Sequence, residues 1–179
     1  MSGGQHHAFQ HLSVYNFFHN IKTISLEIYT DGSLKKRGNQ TFGGWGFIAV
    51  RDSEQIEAQA GNEKNTTNQR MELLAIVKAL EYASVARRIN EKAIIYSDSA
   101  YAINCYQQDW YIGWMNNGWV NAKGKPVANQ DLWWKIIPYF DNFWYEFRKV
   151  EGHKGNYWNE CCDDLAQNQA DALKRENRG

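Results

Sequence analysis

The chain has 179 residues, of which 43% are hydrophobic and 22% are charged, and this length and composition are typical of one soluble globular domain. Its 20 basic residues balance its 20 acidic residues, which excludes a strong long-range attraction to polyanions and leaves only local patches for nucleic-acid binding. No apolar run reaches the ~18 residues of a membrane-spanning helix, so we expect no membrane partner. Three cysteines without metal-ligand or disulfide spacing indicate a cytoplasmic location.

Residues 1–23 are predicted to form an N-terminal tail, and residues 24–179 a single folded domain. The first 20 residues contain no Asp, Glu, Lys or Arg, and they hold four of the five histidines. A histidine-rich tract binds metal adventitiously, so we assign it no functional metal site. The aromatic run from Tyr15 to Phe18 leaves docking on the domain surface open as an alternative.

The first half of the domain predicts three strands. Residues 24–29 alternate apolar and polar side chains, as expected of a strand that runs into a turn at Thr30–Ser33. The segments 43–50 and 54–60 predict two further strands, and residues 51–53 predict the hairpin turn between them. An antiparallel hairpin is therefore expected after the first strand.

Helices and strands alternate in the second half. Residues 66–68 supply candidate N-caps for a helix that ends near Ala86, with apolar residues at helical spacing. The run 93–96 predicts a fourth strand, and the residues up to Gln107 suit a helix. The segment 144–150 predicts the last strand, and residues 159–174 predict the last helix. This order is typical of a mixed α/β domain.

Four acidic residues occupy positions from which such a fold can bring them together. Asp31 and Asp98 are expected to end the first and fourth strands, whereas Glu72 and Asp163 lie early in two helices. If those strands are parallel neighbours, Asp31 and Asp98 emerge at one sheet edge, where carboxylates need a cation. Each residue also has an ordinary explanation, as a turn residue, an N-cap or a helix residue near the N-terminus.

Four motifs occur together in a recognisable order. They are Thr30-Asp31-Gly32-Ser33, Thr66 to Leu73, Tyr96-Ser97-Asp98-Ser99 and, after Gly152-His153, Asn159 to Ala166. Over residues 24–172 the chain resembles type 1 ribonuclease H. The resemblance implies the α/β ribonuclease H-like fold, a five-stranded mixed sheet flanked by α-helices. It also implies an endonuclease that hydrolyses the RNA strand of RNA/DNA hybrids without sequence specificity.

The resemblance implies that Asp31, Glu72, Asp98 and Asp163 bind two Mg²⁺ ions, with Mn²⁺ as the alternative metal. The expected two-metal mechanism produces 5′-phosphate and 3′-hydroxyl ends. Asp31 is expected to bridge the ions, Glu72 and Asp98 to hold the ion that activates water, and Asp163 to hold the other. His153 carries over as a catalytic residue that moves protons or water, although a lone loop histidine is usually only solvated.

Contacts to both strands of the hybrid are also implied by the resemblance. Tyr101 and Trp110 match positions that line the DNA channel, and Thr67 and Asn129 match positions that hold a DNA phosphate. The 2′-hydroxyl distinguishes RNA from DNA. The candidates for binding it are the backbone of Gly32 and the side chains of Asn68, Gln69 and Asn104.

Residues 110–130, here called the aromatic protrusion, match a segment of the family that grips the DNA strand. It contains no acidic residue, and Lys123 and Lys125 are predicted to bind substrate. Met115-Asn116-Asn117 replace residues that are usually basic, which predicts weaker hybrid binding and a shallower salt dependence. The ordinary explanation for Trp110 and Trp114, which lie four residues apart, is core packing.

The segment Leu34–Gln40 replaces a loop that is rich in proline and glycine in the family, and two interpretations stay open. It adds positive charge beside the active site, or it only reshapes a turn. The alternative functions are a weakly catalytic nucleic-acid-binding module and a transposase- or resolvase-like nuclease. The four carboxylates argue against the first, and the combination of motifs against the second. We expect a monomer with no obligate protein partner.

Overall fold

Five strands and five α-helices make up residues 25–150 and 155–177, the parts of the chain that this computed structural model describes. The tail 1–23 and His153 lie outside these ranges. The strands are β1 (Ser25–Arg37), β2 (Gln40–Arg51), β3 (Glu54–Lys64), β4 (Lys92–Ser97) and β5 (Tyr145–Lys149). The helices are α1 (Asn68–Ala86), α2 (Ala100–Gln107), α3 (Trp110–Asn116), α4 (Gln130–Ile136) and α5 (Tyr157–Glu176), and a 3₁₀ turn, Ile137–Tyr139, follows α4.

The strands form one mixed sheet in the order β3-β2-β1-β4-β5. Strand β1 is antiparallel to β2 and parallel to β4, and β4 is parallel to β5. This confirms the five-stranded mixed sheet that the resemblance implies. It also meets the condition, parallel neighbouring first and fourth strands, under which Asp31 and Asp98 lie at one sheet edge. No helix in the described ranges is long and apolar enough to cross a membrane.

Both faces of the sheet are covered, which explains why the alternation in β1 is incomplete. Leu26 and Ile28 are fully buried in the core that includes α1. Tyr29 points to the opposite face and is only 7% exposed, because it belongs to the second core with Cys162 of α5. Small residues of α5, among them Ala166, lie so close to β2 that a Cβ at Gly44 would overlap their backbone.

The expected turn at Thr30–Ser33 is wrong, since β1 continues to Arg37. The pairing of β1 with β4 ends at Thr30 and Ser97, but its pairing with β2 continues to Arg37 and Gln40. The strand therefore leaves the sheet centre as one arm of a hairpin. The turn comes at residues 38–39, where Gly38 has a φ of 55°. Asp31 thus lies inside β1 and not at its end.

Two N-cap predictions have opposite outcomes. Thr67 caps α1, because its side chain accepts a hydrogen bond from the Arg70 backbone N–H at 3.2 Å. The N-cap of α2 is Ser99 and not Asp98: the Ser99 hydroxyl accepts from the Ala102 N–H at 3.4 Å. Asp98 therefore needs another explanation than helix capping.

Candidate active site

The four predicted carboxylates line one cleft. Its volume is about 330 Å³, and it lies where β1 passes beyond the end of β4. The lining residues are Asp31, Gly32, Ser33, Leu34, Lys35, Asn68, Glu72, Asp98, Asp163 and Gln167. Four chain segments that are distant in sequence therefore contribute one carboxylate each.

Strand pairing places two of these residues. Thr30 of β1 pairs with Ser97 of β4 in parallel register, so Asp31 and Asp98 are the next residues on neighbouring segments. Asp31 is buried, with 6% of its surface exposed. Asp98 follows the last residue of β4 and precedes α2. The sheet therefore brings the two carboxylates to the same edge, although only one of them follows a strand end.

Close packing of α1 on β1 places Glu72. A Cβ at Gly32 would lie 2.6 Å from the Met71 carbonyl carbon and would overlap the Glu72 backbone nitrogen. Only glycine permits this approach, and it brings the second turn of α1 to the cleft. Glu72 is half-buried, and its Oε1 accepts a hydrogen bond from the Asn68 side-chain amide at 2.7 Å.

Replacing Gly32 by alanine is expected to lower the free energy of unfolding by about 1–3 kcal/mol, because the added methyl group forces α1 away from β1. Urea denaturation measures the change. Gly113 is a matched control, since a Cβ there meets nothing within 4 Å. Gly113→Ala is expected to be neutral or to stabilise the protein by up to about 1 kcal/mol. Equal stability of the two variants would contradict the close-packing argument.

Helix α5 brings Asp163 to the cleft from the other face of the sheet. Its two carboxylate oxygens each lie 2.8 Å from the Gln167 side-chain nitrogen, one turn further along the helix. Asp164, its neighbour in sequence, is exposed and does not line the cleft. Helix geometry therefore selects one of the two adjacent aspartates for the site.

Burial and mutual repulsion raise the pKa values of two of the carboxylates, Asp31 and Glu72. Burial, followed by the charge of Asp98, raises the pKa of Asp31 to about 8. The charges of Asp163 and Glu72 act in the same direction, and the Gly32 N–H, which donates to Asp31 Oδ1 at 2.6 Å, opposes them. Burial and the charge of Asp98 also raise the pKa of Glu72, against hydrogen bonds from Ser99 and Asn68. Such clustering is a mark of functional sites.

The donor atoms of the cleft suit a hard divalent cation. Carboxylate and amide oxygens dominate the lining, and Lys35 is the one basic side chain there among the described residues. No group of three or more His, Cys, Asp or Glu side chains within residues 25–150 and 155–177 could hold an ion by itself. Mg²⁺ does not require such a cage, since it is usually held by one or two carboxylates and keeps several waters.

The predicted substrate contacts fall into two groups. Gly32 and Asn68 line the carboxylate cleft. The others lie outside it: Thr67, Gln69, Tyr101, Asn104, Trp110, Lys123, Lys125 and Asn129. Of these, Lys123 and Lys125 are exposed in the loop after α3, and Asn129 precedes α4 in a left-handed conformation with a φ of 58°.

Arg70, which is not among the predicted site residues, links the two segments that carry the predicted substrate-binding residues Thr67 and Asn129. Its guanidinium lies 2.9 Å from Glu63 Oε1, and it binds both carboxylate oxygens of Asp131, at 3.0 and 2.9 Å. Arg70 is in the first turn of α1, after Thr67, and Asp131 is in the first turn of α4, after Asn129. The ion pair therefore ties the two helix N-termini together. Nothing in the sequence pairs Arg70 with Asp131.

The aromatic protrusion is mainly held by core packing. Trp114 and Trp119 are buried, with 7% and 9% of their surfaces exposed. The Trp114 ring lies edge-on to Trp133 with a centroid distance of 5.3 Å. Trp110 and Tyr101 are half-buried, 6.1 Å apart, and remain accessible from solvent. The core explanation holds for Trp114, and Trp110 keeps an exposed face.

Comparisons with known sequences and structures identify the family of this chain. The family model described as RNase H matches residues 23–171. The Ribonuclease H of Syntrophomonas wolfei is 45% identical over 146 residues, which cover 82% of this chain and 96% of that protein. The solution structure of the PFV RNase H domain has the same fold, with a TM-score of 0.70 at 21% identity, covering 85% of this chain and 98% of that one.

A foamy viral protease-reverse transcriptase, solved in complex with RNA/DNA hybrid, is also similar in fold. Its TM-score is 0.73 at 19% identity, and the match covers 84% of this chain and 20% of that longer one. The fold, the family model and the close relative all agree. The chain therefore belongs to the RNase H family, and it is a ribonuclease H enzyme.

Proposed function

We propose that this enzyme hydrolyses the RNA strand of RNA/DNA hybrids at the carboxylate cleft, with two divalent metal ions and without sequence specificity. The observation that carries the proposal is the cleft itself, in which four segments of an RNase H chain each place one carboxylate. The similarity in fold to a protein solved with an RNA/DNA hybrid supports the choice of substrate.

The electrostatics of the cleft support a division of the ligands. The charges of all three other carboxylates raise the pKa of Asp31, which suits the ligand shared between two ions. The charge of Asp98 also raises the pKa of Glu72, so Asp98 and Glu72 are proposed to hold one ion. Asp163, on α5, is proposed to hold the other. Mg²⁺ fits this donor set, and Mn²⁺ is the alternative.

The bound ions would supply an activated water and would neutralise charge at the scissile phosphate, which leaves 5′-phosphate and 3′-hydroxyl ends. The protein's own residues keep the ligands in place. The Asn68 amide donates to Glu72, and the Gln167 amide donates to Asp163. The Gly32 N–H orients Asp31. His153, outside the described residues, is proposed to move a proton or water beside the scissile phosphate.

The hybrid is proposed to extend from the cleft towards the aromatic protrusion. Thr67 and Asn129, which precede the paired N-termini of α1 and α4, are proposed to hold a DNA phosphate with neutral donors, while Tyr101 and Trp110 would contact the DNA sugars. Lys123 and Lys125 would add charge contacts. Gln69 and Asn104 would join Gly32 and Asn68 in recognising the 2′-hydroxyl, the group that DNA lacks. A cytoplasmic monomer remains our proposal for the working form.

Metal removal tests the proposed function. Labelled RNA/DNA hybrid, double-stranded RNA and double-stranded DNA are incubated with the enzyme in Mg²⁺, in Mn²⁺ and in EDTA. We expect metal-dependent cleavage of the RNA strand of the hybrid alone, because the proposed nucleophile is a water that the bound ions would activate. End analysis of the fragments should find 5′-phosphates. Absence of metal-dependent hybrid cleavage would contradict the proposal and favour a binding module.

A further inference from the structure

The charged hairpin segment 34–37 has two faces with different roles. Strand alternation points Lys35 and Arg37 towards α5, on the same face as Asp31. Arg37 is occupied there, since its guanidinium donates to the carbonyls of Lys174 and Asn177 at 2.5 and 2.8 Å. This contact satisfies carbonyls at the C-terminal end of α5. Arg37 is therefore an anchor of the hairpin, and Lys35 is the charge left on the cleft side.

Lys35 lines the carboxylate cleft, four residues beyond Asp31 along β1. Four residues of extended strand correspond to about 13 Å, which separates Lys35 from the scissile position but keeps it beside the same bound strand. The Lys35 ammonium lies 3.5 Å from Asp171 Oδ2, and the two side chains are 29% and 41% exposed. An ion pair this open contributes about 0–1 kcal/mol, so a phosphate can replace the carboxylate.

The negative charge of the cleft makes Lys35 a candidate for binding a phosphate of the RNA strand. Four carboxylates line the cleft, and among the described residues Lys35 supplies its one basic side chain. An RNA strand that enters the cleft brings further negative charge. A lysine suits such a contact as a flexible point charge that needs no fixed geometry.

We propose that Lys35 leaves Asp171 and binds a non-scissile phosphate of the RNA strand. This inference rests on the proposed function, and it answers which of the two interpretations of segment 34–40 applies: the hairpin adds positive charge beside the active site. Because the contact is present before and during the reaction, it lowers KM more than it changes kcat.

Binding of RNA/DNA hybrid to variants of the protein that do not cleave it tests the proposal. Fluorescence anisotropy in Mg²⁺ buffer compares Asp31→Asn with Asp31→Asn/Lys35→Met across a range of salt concentrations. One lost phosphate contact is expected to weaken binding roughly tenfold at 50 mM salt and about threefold at 200 mM salt. The slope of log affinity against log salt should become shallower by about 0.9. Lys35→Arg should restore affinity and slope.

Two further variants, each combined with Asp31→Asn, separate this contact from a structural role. Lys92→Met removes a lysine at the start of β4, the other end of the strand from Asp98, and is expected to change neither affinity nor slope. Asp171→Asn removes the competing carboxylate, so binding should be as tight or tighter. A loss in Asp171→Asn equal to that in Lys35→Met would overturn the proposal, since it would mean that the ion pair only supports the fold.

The outcomes distinguish this inference from the proposed function. If the unsubstituted enzyme cleaves no hybrid in Mg²⁺ or Mn²⁺, both the proposed function and the role of Lys35 are wrong. If it cleaves the hybrid, and Lys35→Met in the Asp31→Asn background leaves affinity and salt slope unchanged, only the role of Lys35 is wrong. The weaker, shallower binding described above, with rescue by Lys35→Arg, supports it.

Discussion

Asp31→Asn is expected to lower the rate of hybrid cleavage by about a hundredfold to a thousandfold, the size of losing one strong contact in a preorganised charged site. Asparagine keeps the shape of the side chain but removes the charge that a shared metal ligand supplies. Single-turnover cleavage of labelled hybrid in Mg²⁺ measures the rate. Asp31 is the most informative position for this test, because the charges of the other three carboxylates of the cleft all raise its pKa.

Asp164→Asn is the matched control for charge removal. Asp164 is also an acidic residue, adjacent to Asp163 on α5, but it is exposed and outside the cleft. Its replacement is expected to leave the cleavage rate within about twofold, as is usual of surface substitutions away from specific interactions. A cleavage rate of the Asp31→Asn variant within tenfold of that of the unsubstituted enzyme would show that catalysis does not require Asp31.

The same substitution is expected to stabilise the metal-free protein at alkaline pH. Folding raises the pKa of Asp31 from 3.8 to about 8, because burial and nearby carboxylates disfavour its charge. The folded state therefore binds this proton more tightly, and its stability falls as pH rises from about 4 to 8. Asp31→Asn lacks this decline. In EDTA, the melting temperature of the variant should exceed that of the unsubstituted protein at pH 9 and match it near pH 4.

Glu91→Ala is expected to lower the free energy of unfolding by about 3–5 kcal/mol, because it leaves the Arg51 guanidinium, whose side chain is 11% exposed, without its carboxylate partner. Glu91 is 1% exposed, and its carboxylate accepts from Arg51 Nε and Nη2 at 2.7 and 2.8 Å. It also accepts from the Arg88 N–H at 2.8 Å. Arg51 in turn donates to the Ala86 carbonyl at 3.0 Å, so the pair joins β2 to the end of α1. Urea denaturation measures the loss.

An exposed ion pair with the same N–O distance is the control for Glu91→Ala. Arg148 and Glu146 also lie 2.7 Å apart, but their side chains are 47% and 32% exposed. Glu146→Ala should cost under about 1 kcal/mol. The double replacement Arg51→Met/Glu91→Leu should recover much of the loss, since it leaves no charge buried alone. If Glu91→Ala costs no more than Glu146→Ala, the buried pair does not stabilise the fold.

The pH dependence of this pair has the opposite sign to that of Asp31. Burial opposes ionisation of Glu91, but the Arg51 hydrogen bonds and the Arg88 N–H outweigh it and lower its pKa. A carboxylate with a lowered folded pKa contributes stability above its unfolded pKa, near 4.5. That contribution is lost as pH falls below this value. Acid unfolding of the protein should therefore begin at higher pH in Glu91→Gln.

Hydrophobic periodicity and capping residues predicted the order of the five strands and of the helices α1, α2 and α5, because these signals are local. The helix predicted to end near Ala86 ends at that residue, and Thr67 is its N-cap. The length of β1 was wrong for an equally physical reason. Thr30-Asp31-Gly32-Ser33 has the composition of a turn, and only pairing with β2 keeps it extended to Arg37.

The four site carboxylates were predicted by position and by resemblance, and the structure places all of them in one cleft. Their electrostatic state was not predictable. The raised pKa of Asp31 comes from burial and from charges that lie 41, 67 and 132 positions away in sequence, on Glu72, Asp98 and Asp163. The roles of Arg70 and Glu91 were missed for the same reason, since an ion pair is defined by its partner.

The sequence by itself determined the order of the strands and of the helices α1, α2 and α5, the family motifs and the set of carboxylates, because each depends on residue types and short spacings. Only the tertiary structure decided which face of β1 each hairpin charge occupies. A shift of one residue in the pairing with β2 would exchange the faces of Lys35 and Lys36, because side chains alternate along a strand. The register places Lys35 in the cleft and leaves Lys36 on the α1 side. Long-range strand pairing, which no local pattern encodes, therefore decides which lysine lines the cleft.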